Sequence, residues 1–365
     1  MALDQYYLLG NSGLRVSRLA LGTMNFGTGG YHAAYGKTLD ESRPIFRRYL
    51  EDGGNFIDTA DFYTAGESET ILGTLIAEAK VRERVVLTTK FTNSVAPGDP
   101  NAGGNGRKHM IRALDDSLRR LGTDYVDLFL LHTWDRLTPV EEVLRTFDDL
   151  VRAGKIRYAG LSDVPSWYAA QAQTFAEAHS LPPMINLQLP YSLVDRQIEV
   201  EHVPMARTLG LGITAWSPLG GGFLSGKYRY DPQGVAGQGR LSIPGASGLS
   251  LTERDWQLLK PLAAAADELG VTMAQVAINW VATQPGIASA IVGASTADQL
   301  SSTMAALDVE LPAHLRTEID QAGAPAPESV YRMFTPGYQN QLISADVKVG
   351  DKPAGYLPGI RNWVS

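Results

Sequence analysis

The chain of 365 residues contains no cysteine. That excludes disulfides, thiolate metal sites and cysteine nucleophiles, and it fits a cytosolic protein. There is no basic excess: the formal net charge is -7. Neither a nucleic-acid grip nor a polybasic membrane contact is expected from such a balance. No apolar run approaches the ~18 residues that a membrane span needs. The stretch "MALDQYYLLG" lacks a basic segment followed by an apolar one, so no secretory signal is expected. A G-x-G-x-x-G dinucleotide fingerprint is also missing; "GTGGYH" at Gly27–His32 has only the glycines. The six histidines show no ligand spacing, so no metal is expected.

What is present is ordinary globular material, 44% hydrophobic and 19% charged. "LGNSGL" reads as a hairpin turn. Eight short apolar runs follow: "SRLALGT", "NFIDTA", "VVLTTK", "YVDLFLLH", "IRYAGLS", "INLQLPY", "GITAWSP" and "IASAIVG". They are nearly continuous in apolar residues, as parallel strands covered on both faces are. Helical patterns lie between them. Ile111, Leu114, Leu118 and Leu121 form one stripe, stopped by Gly122. Val140, Val143, Leu144, Phe147, Leu150 and Val151 form another. There Thr138 and Glu141 predict a capping box, Pro139 the first helical position and Gly154 the stop.

Eight strand–helix units predict a closed (β/α)8 TIM barrel. A doubly wound sheet is the alternative, but it usually has fewer strands and the missing fingerprint. The whole chain, 1–365, then reads as one domain: an N-terminal hairpin, a barrel over about 17–323 and a tail over 324–365. A Gly- and Pro-rich stretch from Leu219 to Leu251 follows the seventh strand and reads as an ordered or lid-like loop.

In such a barrel the C-terminal strand ends share the rim that carries chemistry. Asp58 ends the second run, Lys90 the third and His132 the fourth, and Tyr63 lies on the loop after Asp58. Gln188 sits in the sixth run, and Trp216 and Ser217 end the seventh. Alone, each has an ordinary structural role: a turn-forming acid, a packed tyrosine, a polar rim. Together they suit proton transfer to a carbonyl oxygen. A free tyrosine has a pKa of about 10, too high for an efficient acid at neutral pH. A neighbouring Lys90 ammonium is expected to lower it, with Asp58 holding the lysine charged. A neutral His132 is suited to donate to the oxygen as negative charge develops.

The runs "LGTMNFG", "FIDTADFY", "VVLTTK", "YVDLFLLH", "GLSD" and "SPLGGGFLSGKY" resemble the aldo-keto reductases in order and spacing, over roughly Tyr6 to Gly323. "NAGGNGRKHM", "HTWD" and "LSDVPSW" are similar to the aryl-alcohol dehydrogenase-like branch, a group that also includes the potassium-channel beta subunits. The resemblance implies reversible hydride transfer between a nicotinamide cofactor and a carbonyl compound. It implies Tyr63 as general acid, Lys90 tuning it, Asp58 paired with Lys90, and His132 orienting the carbonyl.

Cofactor contacts carry over from the same resemblance. Ser162, Asp163 and Gln188 would face the nicotinamide carboxamide, with Asp163 where the family more often has Asn. Trp216 would stack on the ring in place of the commoner Tyr. Gly22, Thr23 and Met24 line the first strand end. Ser217, Pro218, Leu219 and Gly221 begin a loop across the pyrophosphate, and Lys227 adds charge there. After the eighth strand comes "GASTADQL", opening at Gly293, with no base. Ser295 and Gln299 match the channel-beta pattern, which takes NADP, and Arg240 falls where that group has a phosphate-contacting arginine. Ser302 and Thr303 depart from the usual Glu-Asn pair near the adenine. NADP(H) is therefore favoured over NAD(H).

Phe26, Tyr31, Phe91 and Trp134 fall near rim positions, and the tail adds Tyr331, Phe334 and Trp363. An aromatic mouth would favour aromatic or bulky carbonyl substrates. The expected partner is a small molecule, with a homo-oligomer left open. The alternative is a cofactor-binding regulatory subunit resembling the channel beta subunits.

Overall fold

The computed structural model describes residues 3–231, 234–243, 251–325, 331–339 and 341. Two strands, β1 (Tyr6–Leu8) and β2 (Arg15–Ser17), pair antiparallel around the "LGNSGL" turn. Eight parallel strands then close a barrel: β3 (Leu19–Gly22), β4 (Phe56–Asp58), β5 (Val86–Phe91), β6 (Val126–Leu131), β7 (Ile156–Ser162), β8 (Met184–Pro190), β9 (Gly212–Trp216) and β12 (Ile287–Val292). All eight expected runs are strands of this one sheet, and β12 returns to β3. The doubly wound alternative is therefore overturned.

Helices α1 (Leu39–Glu51), α2 (Glu67–Ala79), α3 (Arg107–Leu121), α4 (Val140–Arg152), α5 (Ser166–Ala178) and α6 (His202–Leu209) alternate with the strands. Helices α7 (Glu253–Leu269) and α8 (Met273–Ala282) precede β12, and α9 (Ala297–Met304) and α10 (Ala313–Gly323) follow it. Helix α3 stops at Gly122 as expected, with its φ at +63°. Helix α4 begins after Pro139, but the capping box at Thr138 is not formed. The Thr138 hydroxyl donates instead to Asp135 at 2.7 Å, and the Thr138 amide does so at 2.9 Å. Asp135 also accepts from the Asn105 amide, so a stronger local acceptor outcompetes Glu141.

The strand period of two decides which side chains face inward. Val16, Ala20, Phe56, Val86, Leu128 and Leu130 form one small buried cluster with Leu9. Leu19, Leu21, Ile57, Leu87, Phe129 and Leu131 belong to the larger cluster under the helices. Neighbours in sequence thus fall into different layers. Leu9 and Val16 of the hairpin join the inner cluster, and the hairpin turn seats Gly10 against the ends of β8 and β9. Gly10 has φ +58°, and a Cβ there would lie 2.4 Å from the Ile185 carbonyl. Gly10→Ala is therefore expected to destabilise the fold by about 2 kcal/mol or more. The shift of a urea unfolding midpoint measures it.

The stretch after β9 is more than a loop. It carries a second hairpin, β10 (Arg229–Asp231) with β11 (Gly234–Ala236), followed by a short 3-10 turn at Arg240–Ser242. Contacts divide the chain into Met1–Gly323 and Ala324–Ser365. Among the described residues of the second unit, a 3-10 turn (Tyr331–Phe334) precedes α11 (Pro336–Gln339), and the Tyr331 and Phe334 rings meet edge-on at 5.9 Å. Trp363 lies outside the described residues.

Candidate active site

The inward rows turn polar at their C-terminal ends. Phe56 is followed two residues on by Asp58, Val86 by Thr88 and then Lys90, and Leu128 by Leu130 and then His132. Each step of two keeps the same face, so the three ionisable groups converge at one rim. Tyr63 begins a 3-10 turn just past β4.

Lys90 is wholly buried, and Asp58 is 3% exposed. The ammonium donates to Asp58 Oδ1 at 2.6 Å, to the Thr59 carbonyl at 2.8 Å and to Tyr63 Oη at 3.2 Å, with Asp58 Oδ2 in the ion pair at 2.5 Å. Its three protons are thereby all directed. Gln188 Nε2 donates to Asp58 from the far side at 3.3 and 3.4 Å. Burial works against the Lys90 charge, but Asp58 and Tyr63 outweigh it, so the lysine titrates above its ordinary value. Burial also pushes the Tyr63 phenol up, and it exceeds the downward pull of Lys90. This corrects the expectation of a net lowered tyrosine: a dry site disfavours the phenolate more than one adjacent, already paired ammonium favours it.

The His132 ring stands edge-on to Tyr63 at 5.7 Å, with the Phe62 ring 5.3 Å from the imidazole. Asn93 Nδ2 lies 3.4 Å from His132 Nδ1. In a neutral imidazole, donation from that amide makes Nδ1 the acceptor and puts the proton on Nε2.

A cavity of about 870 Å³ opens over these groups. Asp58, Tyr63 and His132 line it, with Gly22, Met24, Ser162, Asp163, Gln188 and Trp216. Ser217, Pro218, Leu219 and Gly221 continue the wall toward Lys227 and Arg240 on one side and Gly293, Ser295 and Gln299 on another. Lys90 supports the site from behind. Ser162 Oγ is buried without a hydrogen-bond partner among the described residues. Asp163 Oδ1 accepts from Trp216 Nε1 at 3.0 Å. Burial raises the Asp163 carboxyl to about 6.

Beyond Trp216, Ser217, Gly220, Gly221 and Gly222 all have positive φ, between 53° and 94°. The Gly220 and Gly222 amides fold back onto the Ser217 and Leu219 carbonyls. Those two amides are spent within the loop, and the left-handed glycines bring the chain to the cavity wall without side chains in the way. The Lys227 ammonium lies over the Tyr228 ring at 5.1 Å, and the Arg240 guanidinium over Tyr35 at 5.4 Å. Lys227 and Arg240 are the cationic side chains of this wall among the described residues. On α9, Thr296 caps the helix through the Gln299 amide, and the Gln299 side chain accepts from the Ser295 amide at 2.7 Å. An unpartnered serine hydroxyl, a glycine-lined stretch of wall and two cations fit a long, polyanionic nicotinamide dinucleotide.

Several expected contacts sit elsewhere. Thr23 is buried, donating to the Asp58 carbonyl at 3.0 Å and meeting Ser68 at 2.9 Å, so it braces the strand end. Phe26 and Phe91 are fully buried core residues. Phe91 follows inward Lys90 by one residue, so it points outward and stacks on Phe129 at 5.0 Å. Trp134 packs among Trp167 and Tyr168 rather than on the cavity wall. The Tyr31 side chain lies outside the described residues.

The reading of the sequence missed Asn25, Ala34, Tyr35, Phe62 and Ile243, all of which line the cavity. Phe62 was the most accessible of these, being the neighbour of Tyr63. It also missed Asp61, a buried acid with no side-chain partner for its carboxylate among the described residues. Burial and the nearby Glu69 charge push its carboxyl well up. Non-glycine residues with positive φ gather on the same rim: Thr64, Ala65, Thr92, Arg136, Asp163 and Ser217. Strained backbone of this kind concentrates where side chains must be held for function.

Residues 18–324 match the aldo/keto reductase family. The chain is 37% identical over 317 residues to an uncharacterized oxidoreductase, YrpG, of Bacillus subtilis, covering 84% of this chain and 92% of that one. It is 36% identical to a probable voltage-gated potassium channel subunit beta of Oryza sativa, again over 84% and 92% of the two chains. To a putative aryl-alcohol dehydrogenase of Saccharomyces cerevisiae it is 29% identical, over 93% and 90%. With its closed barrel and the Asp58, Tyr63, Lys90 and His132 cluster at the rim, the chain belongs to the aldo/keto reductase family of oxidoreductases.

Proposed function

We propose that the protein reduces aromatic or bulky aldehydes and ketones to alcohols with NADPH, and runs the reverse oxidation when NADP+ is abundant. The observation that carries this reading is the Lys90 ammonium, 2.5–2.6 Å from Asp58 and 3.2 Å from Tyr63 Oη, just behind a cavity that Tyr63, Phe62, Tyr35 and Trp216 line. Tyr63 is the proton donor. Burial holds its phenol protonated at rest. Once the proton leaves for the substrate oxygen, the phenolate lies against a fixed positive charge in a dry site, where Coulomb attraction is strong. Asp58 keeps that charge in place. His132 Nε2 donates to the same oxygen, sharing the negative charge that builds there.

The nicotinamide, when bound, supplies the hydride. Ser162, Asp163 and Gln188 hold its carboxamide end, and Trp216 packs on the ring. The glycine run, Lys227 and Arg240 take the phosphates, and Ser295 and Gln299 lie toward the nucleoside end. NADPH is preferred to NADH because two cations line that wall, while Asp298, the one acid of "GASTADQL", is not among the residues lining it. Phe62, Tyr35 and Trp216 supply flat apolar surface to an aromatic substrate. The name of the yeast relative points to the same substrate class.

The test follows the loss of NADPH absorbance with a panel of aromatic aldehydes, with NADH in parallel. Turnover with NADPH exceeding that with NADH supports the reading, and faster turnover with NADH overturns the cofactor preference. The rice relative's name, a probable channel subunit beta, raises a second reading for this chain: a regulatory subunit that binds the cofactor. Tight dinucleotide binding with very slow turnover on every aldehyde favours that one.

A further inference from the structure

We propose that Asp163 biases the bound cofactor toward its oxidised form, by placing an unneutralised carboxylate on the wall that receives the nicotinamide. The proposal rests on the cofactor reading above. Asp163 is held at the end of β7 with φ +45°. Its amide donates to the Gln188 carbonyl at 3.2 Å, and its own carbonyl accepts from the Trp134 amide at 3.4 Å. The side chain is aimed by the Trp216 indole, which donates to Oδ1 at 3.0 Å. An indole N–H only donates, so it needs an acceptor in this half-buried place. An ionised carboxylate satisfies it and keeps its full charge.

No cation among the described residues forms an ion pair with Asp163. Lys90 attracts it from behind but is already paired with Asp58, while Asp195 repels it. His132 faces the same cavity from the end of β6. The negative charge of Asp163 is therefore unspent at the cavity wall. The oxidised nicotinamide ring is cationic and the reduced ring is neutral, because accepting a hydride lowers the ring charge by one. A fixed negative charge alongside stabilises the cationic form and leaves the neutral form nearly unaffected. By linkage, the ratio of the two dissociation constants sets how far the bound couple departs from the free one. A tenfold ratio in a two-electron couple corresponds to about 30 mV.

A direct test measures Kd for NADP+ and for NADPH by quenching of tryptophan fluorescence, in the wild type and in Asp163→Asn, at pH 8. Asparagine keeps the shape and still accepts from Trp216. The variant is expected to weaken NADP+ relative to NADPH by about tenfold, the scale of one screened charge at close range. A second measurement needs no variant. As pH falls through about 6 the carboxyl gains a proton. The wild-type preference for NADP+ is then expected to fade between pH 8 and pH 5, and in Asp163→Asn to stay flat. Equal Kd ratios in the two proteins at pH 8, both binding well, overturn the bias alone. Failure of the wild type to bind either dinucleotide overturns the cofactor reading and the bias with it.

Discussion

Tyr63→Phe is expected to lower kcat by about three orders of magnitude, within the range for loss of a positioned general acid, while the Kd for NADPH changes little. The substitution removes one atom. The ring still packs beside Phe62 at 5.1 Å and edge-on to His132 at 5.7 Å. Lys90 loses its third acceptor but keeps Asp58 and the Thr59 carbonyl. The stability cost should therefore stay near ~1 kcal/mol, the net worth of one hydrogen bond. Single-turnover absorbance change separates the chemical step from binding, and fluorescence titration follows binding alone. Activity retained to within tenfold would remove Tyr63 from the acid's role and move attention to His132, the other donor at the cavity floor.

The second large effect is on the fold itself. Lys90→Met leaves the Asp58 carboxylate buried with only Gln188 donating to it. Breaking a buried pair by removing one partner costs about 3–5 kcal/mol, because the remaining charge has lost its compensation. Burial already pushes Asp58 up, with Lys90 the main opposing influence. Without the lysine the folded-state pKa stands higher still above the unfolded value. The unfolded chain then ionises first as pH rises, so the destabilisation is small in acid and grows toward neutral pH. Urea midpoints at pH 5 and pH 8 should diverge for the variant more than for the wild type. Adding Asp58→Asn to Lys90→Met should return part of the loss at pH 8. A pH-independent loss would show that Asp58 is not the group left stranded. Turnover should vanish in both variants, since the phenolate of Tyr63 then has no adjacent cation.

These two effects trace to features already present in the linear order of residues. Eight apolar runs at strand length, separated by helical stripes and without a dinucleotide fingerprint, favour a barrel over a doubly wound sheet, and the closure of β12 on β3 decides it. The period of two then determines that Asp58, Lys90 and His132 share a face with Phe56, Val86 and Leu128. The same parity, counted from Lys90, sends Phe91 outward into the helix layer, away from any substrate. What the local sequence does not carry is competition between distant partners. Thr138 looked like a helix cap until Asp135, fixed by the 92–106 loop, offered a charged acceptor. Thr23 looked like a cavity residue until Ser68 of α2 and the Asp58 carbonyl claimed its hydroxyl. Nothing in the residues around Asp163 or Trp216 signals that they are partners. They lie 53 residues apart, and only the closed sheet brings indole and carboxylate to 3.0 Å. The downward pull expected of Lys90 on Tyr63 likewise held in sign for the pair but not for the site. Desolvation depends on everything packed around the phenol, and only the assembled barrel sets that.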